Sequence, residues 1–128
     1  MRPAIPSALV CAALILGLTT LTAACSGPAA IPGPFAGEET TIVADNLVFA
    51  PSQVTLPPDV PLRIGLVNQD DAIPHSLLVS GPQGQVAQTP VITGISRTEV
   101  RFGPLAPGTY QLTCTVHPSM TATLVVQP

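Results

Sequence analysis

The sequence predicts an all-β fold over residues 40–128, an antiparallel Greek-key β-sandwich of seven or eight strands. Sixteen Pro and ten Gly among 128 residues oppose long helices and favour a turn-rich chain. From Thr40 onward, short apolar segments alternate with turn residues, and no window of ten residues keeps a helical period without Pro or Gly. Short strands separated by frequent turns are typical of a two-sheet sandwich.

The first half of the domain contains four candidate strands. They cover residues 41–44, 47–49, 53–56 and 61–68. In the fourth, Leu62, Ile64 and Leu66 recur at every second position, which is the period of a half-buried strand. The prolines at 57 and 58 with Asp59 mark the turn that precedes it.

The second half contains five more segments with strand character. They cover residues 75–80, 85–89, 98–102, 109–114 and 121–126. The segment 85–89 is short and is expected at a sheet edge. In 109–114, Tyr110, Leu112 and Cys114 share one face, and we expect that face to point between the sheets.

The N-terminal 24 residues are predicted to be a signal peptide of the lipoprotein type. Arg2 precedes an uninterrupted apolar or small-residue run over 8–18, which is too short to span a bilayer. Small residues before Cys25 resemble a bacterial lipobox, in which that cysteine is lipidated. Ordinary secretion with cleavage nearby and an uncleaved anchor are the alternatives. All three export the domain, either lipid-anchored on the extracytoplasmic side of a bacterial membrane or secreted to the periplasm or beyond.

Residues 25–39 are predicted to form a tether rich in Pro, Gly and Ala. This composition cannot build a core and favours extended conformations, so a disordered N-terminus is the alternative. The folded unit is expected to begin near Thr40. Once Cys11 is removed and Cys25 is lipidated, Cys114 has no disulfide partner in an oxidising compartment.

Composition excludes several classes of function. A net charge of -3 without any Lys offers no footprint for phosphate backbones, so nucleic-acid binding is not expected. Two His and three Cys are too few for a multicopper cluster, and CxxCH haem attachment and four-Cys zinc sites are absent. The chain shows no Ser-His-Asp pattern, phosphate-binding Gly loop or nucleophile elbow, and we expect no enzymatic turnover. Asp70 and Asp71 are expected to form a solvated turn.

Four side chains of the domain can act as soft or borderline metal ligands. Cys114, His117 and Met120 lie within seven residues, whereas His75 opens a strand about forty residues earlier. Taken alone, each of these residues would be an ordinary core or surface residue. Together they are the donor set of a His2Cys copper site with a weak axial Met. We expect His75 to complete the site from the opposing sheet.

From about Thr40 to Val126 the chain resembles the cupredoxins, the small blue copper proteins that include plastocyanin, amicyanin and pseudoazurin. Residues 110–117 match the family pattern Y-x-x-x-C-x-x-H, and residues 68–75 resemble its N-x-D segment before the first copper histidine. The short loop with Pro directly after the second histidine most resembles that of amicyanin. The resemblance implies one type 1 copper per chain. Its equatorial ligands would be His75, Cys114 and His117, with Met120 axial.

The resemblance also draws attention to the residues around the ligands. Many family members place Asn after the first histidine to hold the ligand loop by hydrogen bonds, whereas this chain has Ser76. We therefore take Ser76 and Asn68 as candidates for that supporting role. Since a hydroxyl has a shorter reach than an amide, the departure affects the reduction potential more than copper binding.

The function expected from this site is one-electron transfer through Cu(II)/Cu(I) to redox partner proteins, by a monomer. Pro74 and Pro118 stiffen the two histidine segments, and the exposed ring edge of His117 is the expected electron route. Ala72, Ile73 and both prolines are expected to form an apolar docking patch. One alternative is an exported protein that buffers or delivers copper. The other is a cupredoxin fold that serves only as a binding or structural module.

Overall fold

The computed structural model describes residues 35–128 as two larger β-sheets and a small third sheet of two strands. The predicted signal peptide, Cys25 and the tether as far as residue 34 lie outside the described residues. Strand β1 begins at Glu38, two residues before the expected boundary at Thr40. Within residues 35–128 there is no helix long and apolar enough to cross a membrane.

Eleven strands make up this fold. They are β1 (Glu38–Asp45), β2 (Val48–Ala50), β3 (Gln53–Leu56), β4 (Leu62–Asn68), β5 (Pro74–His75), β6 (Leu78–Gly81), β7 (Gly84–Gln88), β8 (Ile92–Thr93), β9 (Ser96–Phe102), β10 (Gly108–Thr113) and β11 (Thr121–Val126). One sheet has the order β2-β1-β4-β9, the second β3-β11-β10-β6-β7, and β5 pairs with β8 alone. The all-β class and the edge position of β7 are confirmed.

Strand count and direction differ from the sequence prediction. Eleven strands replace the seven or eight predicted. Two of the additional strands, β5 and β8, are two-residue bridges without a periodic pattern of their own. The sandwich is also not purely antiparallel, since β1 pairs in parallel with β4 and β3 in parallel with β11. Side-chain alternation specifies which face a strand buries but not which strand it pairs with, so these partners were not readable from the pattern.

The core lies between the two larger sheets and follows the predicted alternation. Leu62, Ile64 and Leu66 of β4 are fully buried, as are Leu112 of β10 and Leu124 of β11. These side chains belong to one continuous cluster that also includes Cys114 and Met120. Because the cluster extends to the ends of β4 and β10, the packed core reaches the predicted ligand segments that follow these two strands.

The outer face of the first sheet holds the arginines of the described chain. Arg63 and Arg101 are cross-strand partners, and Arg97 pairs with Val67 four positions further along the same ladder. Arg63 forms ion pairs with Glu39 and Glu99, and Arg101 pairs with Glu99. These charges thus neutralise one another on the sheet surface, away from the core.

Candidate metal centre

Cys114 lies directly after the last residue of β10 and points into the core. Leu112 and Cys114 are both fully buried, as the shared face of β10 predicts. The Cys114 backbone N–H donates to the Met120 carbonyl over 3.0 Å, which closes the intervening loop. The sulfur therefore lies at the end of the sandwich, in a position set by the β10–β11 ladder.

The loop from Cys114 to Met120 folds back on itself. The Met120 N–H donates to the His117 carbonyl over 2.9 Å, inside the wider closure made by Cys114. Met120 is 1% exposed and packs in the same cluster as Cys114, whereas His117 is half-buried. The loop thus returns one residue to the core and leaves the other near the surface.

His75 reaches the centre by a different route from the one expected. It lies on β5, where it pairs with Ile92, and the chain then continues into β6. Because β6 neighbours β10 within the second sheet, His75 does not come from the opposing sheet. The Leu77 backbone between β5 and β6 is held by Thr89, whose hydroxyl accepts its N–H at 2.9 Å. This break turns the strand and leaves His75 fully buried.

The structure brings His75, Cys114 and His117 together. The Cys114 Sγ lies 4.0 Å from Nδ1 of His75 and 3.9 Å from Nδ1 of His117. The three ligand atoms all fall within 4.8 Å of one another, and the two rings are tilted by 57°. With bonds of about 2.0 Å to nitrogen and 2.3 Å to sulfur, trigonal ligands around one first-row metal ion lie roughly 3.8 Å apart. The spacing fits a single metal ion.

Asp70 does not form the solvated turn that the sequence predicted. It is 7% exposed, and its Oδ2 accepts a hydrogen bond from His75 Nε2 at 2.8 Å. Backbone N–H groups of Asn46 and Leu47 donate to the same carboxylate at 2.7 and 3.3 Å. Burial alone would raise the pKa of Asp70, but the hydrogen bonds from His75 and from these two N–H groups outweigh it and lower the pKa. Asp71 is exposed, as expected.

The turn that donates to Asp70 has an unusual backbone. Asn46 and Leu47 connect β1 to β2 with φ values of 50° and 60°. Left-handed conformation costs a non-glycine residue roughly 1–2 kcal/mol, and Asn tolerates it far better than Leu. Two successive N–H groups in such a turn form a concave anion site. The Asp70 carboxylate occupies that site from within the same domain.

Asn68 and Ser76 both support the ligand segments by hydrogen bonds. The Asn68 Oδ1 accepts from the Asp70 N–H at 2.9 Å, and its Nδ2 donates to the Ile73 carbonyl at 2.8 Å. The Ser76 Oγ accepts the Thr115 N–H at 3.1 Å and lies 2.6 Å from the Thr115 hydroxyl. Ser76 therefore ties the residue after His75 to the residue after Cys114.

The surroundings of Cys114 favour its thiolate. Burial by itself would raise the pKa of this thiol. The backbone N–H of Ser76, the His75 ring and the N–H groups of His117 and Val116 outweigh burial and lower the pKa from 9.0 to about 6. The centre thus presents an ionised sulfur beside two imidazole nitrogens, the form in which these groups bind metals.

Comparison with known proteins agrees with this geometry. Residues 11–126 match the family defined as the cupredoxin-like domain. The chain is a cupredoxin. No curated protein matches its sequence significantly.

Solved structures show the same fold. Auracyanin A from Chloroflexus aurantiacus, a "blue" copper protein, is 21% identical with a TM-score of 0.63, covering 70% of this chain and 98% of that one. Auracyanin from Roseiflexus castenholzii is 19% identical with a TM-score of 0.64 and covers 70% and 97%. Amicyanin from Paracoccus versutus is 17% identical with a TM-score of 0.55 and covers 70% and 82%. At these identities the likeness concerns the fold.

The donor set of this cupredoxin suits copper. A thiolate and two imidazoles converge here, and a buried thioether lies in the same cluster. Zinc prefers thiolate, imidazole and carboxylate and takes a thioether poorly, whereas copper accepts all four donors. Family and geometry together support one type 1 copper in this cupredoxin.

Sequence reasoning missed Asp70 as a functional residue, although a signal for it was present. The two-residue period of β4 ends on buried Asn68, and one more step of that period reaches Asp70. The two acidic residues were read together as a turn, whereas alternation separates an inward Asp70 from an outward Asp71. Thr115 and the Asn46–Leu47 turn carried no pattern, because their bonds join segments more than twenty residues apart.

The lowered pKa of Cys114 predicts how the stability of the metal-free protein depends on pH. Between about pH 6 and 9 the unfolded chain binds a proton on this thiol and the folded chain does not, so stability rises with pH across that window. The contribution is complete above pH 9 and is lost as pH falls through about 6. Denaturant unfolding under reducing conditions at several pH values measures it. Cys114→Ser should remove this rise, and identical pH profiles for the two proteins would contradict the assignment.

Proposed function

We propose that this cupredoxin is a type 1 copper protein that transfers single electrons between partner proteins. In this proposal His75, Cys114 and His117 would hold the copper, with the Met120 thioether as a weaker fourth ligand. The observation that carries it is the convergence of the three ligand atoms within 4.8 Å on a thiol whose pKa is lowered. Bound copper would supply the one-electron chemistry, cycling between Cu(II) and Cu(I).

The residues around the centre support electron transfer because they restrict movement of the ligands. Cys114 and Met120 are joined through the backbone, Ser76 bonds Thr115, and His75 is held by Asp70. A ligand set fixed in this way serves both oxidation states with little rearrangement, which keeps the barrier to electron transfer low.

The same observations disfavour copper delivery, the main competing function. A delivery site has to open or exchange its ligands for an acceptor. Here His75, Cys114 and Met120 are all buried, and only His117 is half-exposed. The thiolate and thioether also suit Cu(I), so the donor types alone do not separate the two functions.

Addition of Cu(II) to the purified protein tests both functions. We expect an intense blue thiolate-to-copper absorption band and repeated reduction and reoxidation without loss of the metal. Cys114→Ser should abolish the band because it removes the thiolate. Absence of the band in the wild-type protein would overturn the type 1 assignment, and release of copper on reduction would favour delivery.

The docking surface proposed for redox partners surrounds His117. Pro118 and Ala72 are exposed, and Ile73 and Pro74 are partly buried. The sequence stretches 72–96 and 103–128 contain no Asp, Glu, Lys or Arg. An apolar, uncharged face around a ligand edge suits a partner whose own docking face is also apolar.

Pro118→Glu should slow electron transfer with a redox partner while leaving the copper spectrum unchanged. The reason is that a charge in this face must be desolvated when an apolar partner docks. Stopped-flow rates with a small one-electron protein donor measure the effect. Pro107→Glu is the matched control, because Pro107 is an exposed proline before the opposite end of β10. Equal electron-transfer rates for Pro118→Glu and Pro107→Glu would contradict a docking face around His117.

We propose that the protein is exported and held at a bacterial membrane by a lipid on Cys25. The support is the signal-like run over 8–18 and the small residues before Cys25. The intact mass of the membrane-extracted protein should equal residues 25–128 plus the lipid, and Cys25→Ser should lose that addition. A mass without lipid would indicate ordinary secretion, and a mass that includes residues 1–24 an uncleaved anchor.

A further inference from the structure

Asp70 is a buried carboxylate that the ligand set itself does not require. It contacts no metal-ligand atom directly, since its bond goes to Nε2 of His75 and the nitrogen facing Cys114 is Nδ1. Its carboxylate receives three donors, from His75, Asn46 and Leu47. All three are aimed at the anion, so the charge is held in one place.

The negative charge of Asp70 is not cancelled by a cationic side chain of the described chain. Within residues 35–128 its ion-pair contact is with His75, whereas Arg63 and Arg101 are paired with glutamates on the outer sheet face. The nearest compensation is two backbone N–H groups, which carry only partial charge. The carboxylate therefore acts mainly through the ring of His75.

From this arrangement we propose that Asp70 is a positioning residue that fixes the ring tautomer of His75 and lowers the reduction potential of the copper site. This rests on the copper-binding function proposed above. A carboxylate that accepts from Nε2–H leaves the lone pair of Nδ1 free to face Cys114, and it makes that nitrogen a stronger donor.

The effect on potential follows from charge. With the Cys114 thiolate and the Asp70 carboxylate, the centre would be neutral with bound Cu(II), and it would carry one negative charge once a partner protein had donated an electron to give Cu(I). A buried second anion therefore favours the oxidised form. The step needs no proton transfer, since the carboxylate already has three donors.

The turn at Asn46 and Leu47 explains why the anion is hard to replace. Both residues adopt positive φ, and both N–H groups point at the carboxylate. The Asn46 N–H donates to Oδ1, whereas the Leu47 N–H and His75 Nε2 both donate to Oδ2. An amide at position 70 has one acceptor oxygen in place of two, so it cannot satisfy Asn46 and His75 together. Asp70→Asn should therefore release one of the two segments.

Asp70→Asn and Asp71→Asn in the full chain form a matched pair. Both remove one negative charge at neighbouring positions, but only Asp70 is buried and bonded to His75. We expect Asp70→Asn to raise the Cu(I):Cu(II) ratio at a fixed poise roughly tenfold, which is about 59 mV for a one-electron couple. Asp71→Asn should change it less than about twofold, because exposed charges are screened by solvent. Asp70→Glu, which keeps the anion, should raise the ratio less than Asp70→Asn does.

Nitrogen NMR of the His75 ring in the metal-free protein provides a second readout. The wild-type ring should carry its proton on Nε2, and Asp70→Asn should give a mixture of tautomers. This wild-type measurement decides the positioning role even if the variant does not fold or if copper gives no blue band. A wild-type proton on Nδ1 would overturn the proposal, as would equal potential shifts for the two Asn variants.

Discussion

A buried, ionised sulfur at the end of β10 is the constraint on which the rest of this structure depends. The core continues through Leu112 to Cys114 without a break, so the thiolate lies where no solvent compensates its charge. Backbone N–H groups, an imidazole and finally a metal ion are the available partners. The loop must therefore return within a few residues, and the Cys114–Met120 backbone bond is the means by which it does so.

The two histidines of the centre have unequal roles as a result. His75 is fully buried, and its Nε2 is hydrogen-bonded to Asp70. The next residue, Ser76, accepts a hydrogen bond from the backbone of Thr115, which follows Cys114. His117 lies in the loop and is half-buried. One histidine thus anchors the centre in the protein and the other connects it to the surface. Such an asymmetry suits a site that must be rigid toward its own chain and accessible to another.

The sequence allowed the ligand set to be predicted because the chain has so few alternatives. Two His, one Cys and one Met in the domain left no other combination, and the alternation of β10 placed Cys114 inward correctly. The route of His75 was predicted wrongly, because the two-residue bridge β5 to β8 depends on tertiary contacts and has no period. Asp70 was misread for a related reason, since its partners at Asn46 and Leu47 lie more than twenty residues away. Local patterns reveal which face a residue takes, but hydrogen bonds between distant loops decide what it does there.

The scarcity of charge in this chain links the surface of the centre to its interior. Charged residues of the described chain fall in 38–71 and 97–101, so the segments bearing all four proposed ligands carry none apart from the histidines. At the surface, docking on the face proposed around His117 would depend on shape and water exclusion rather than on steering by charge. In the interior it leaves Asp70 as the fixed charge bonded to a proposed ligand, with few other charges to offset it. A centre surrounded by many ion pairs would reduce the influence of one carboxylate, whereas here the Asp70 carboxylate has a large share of the local field.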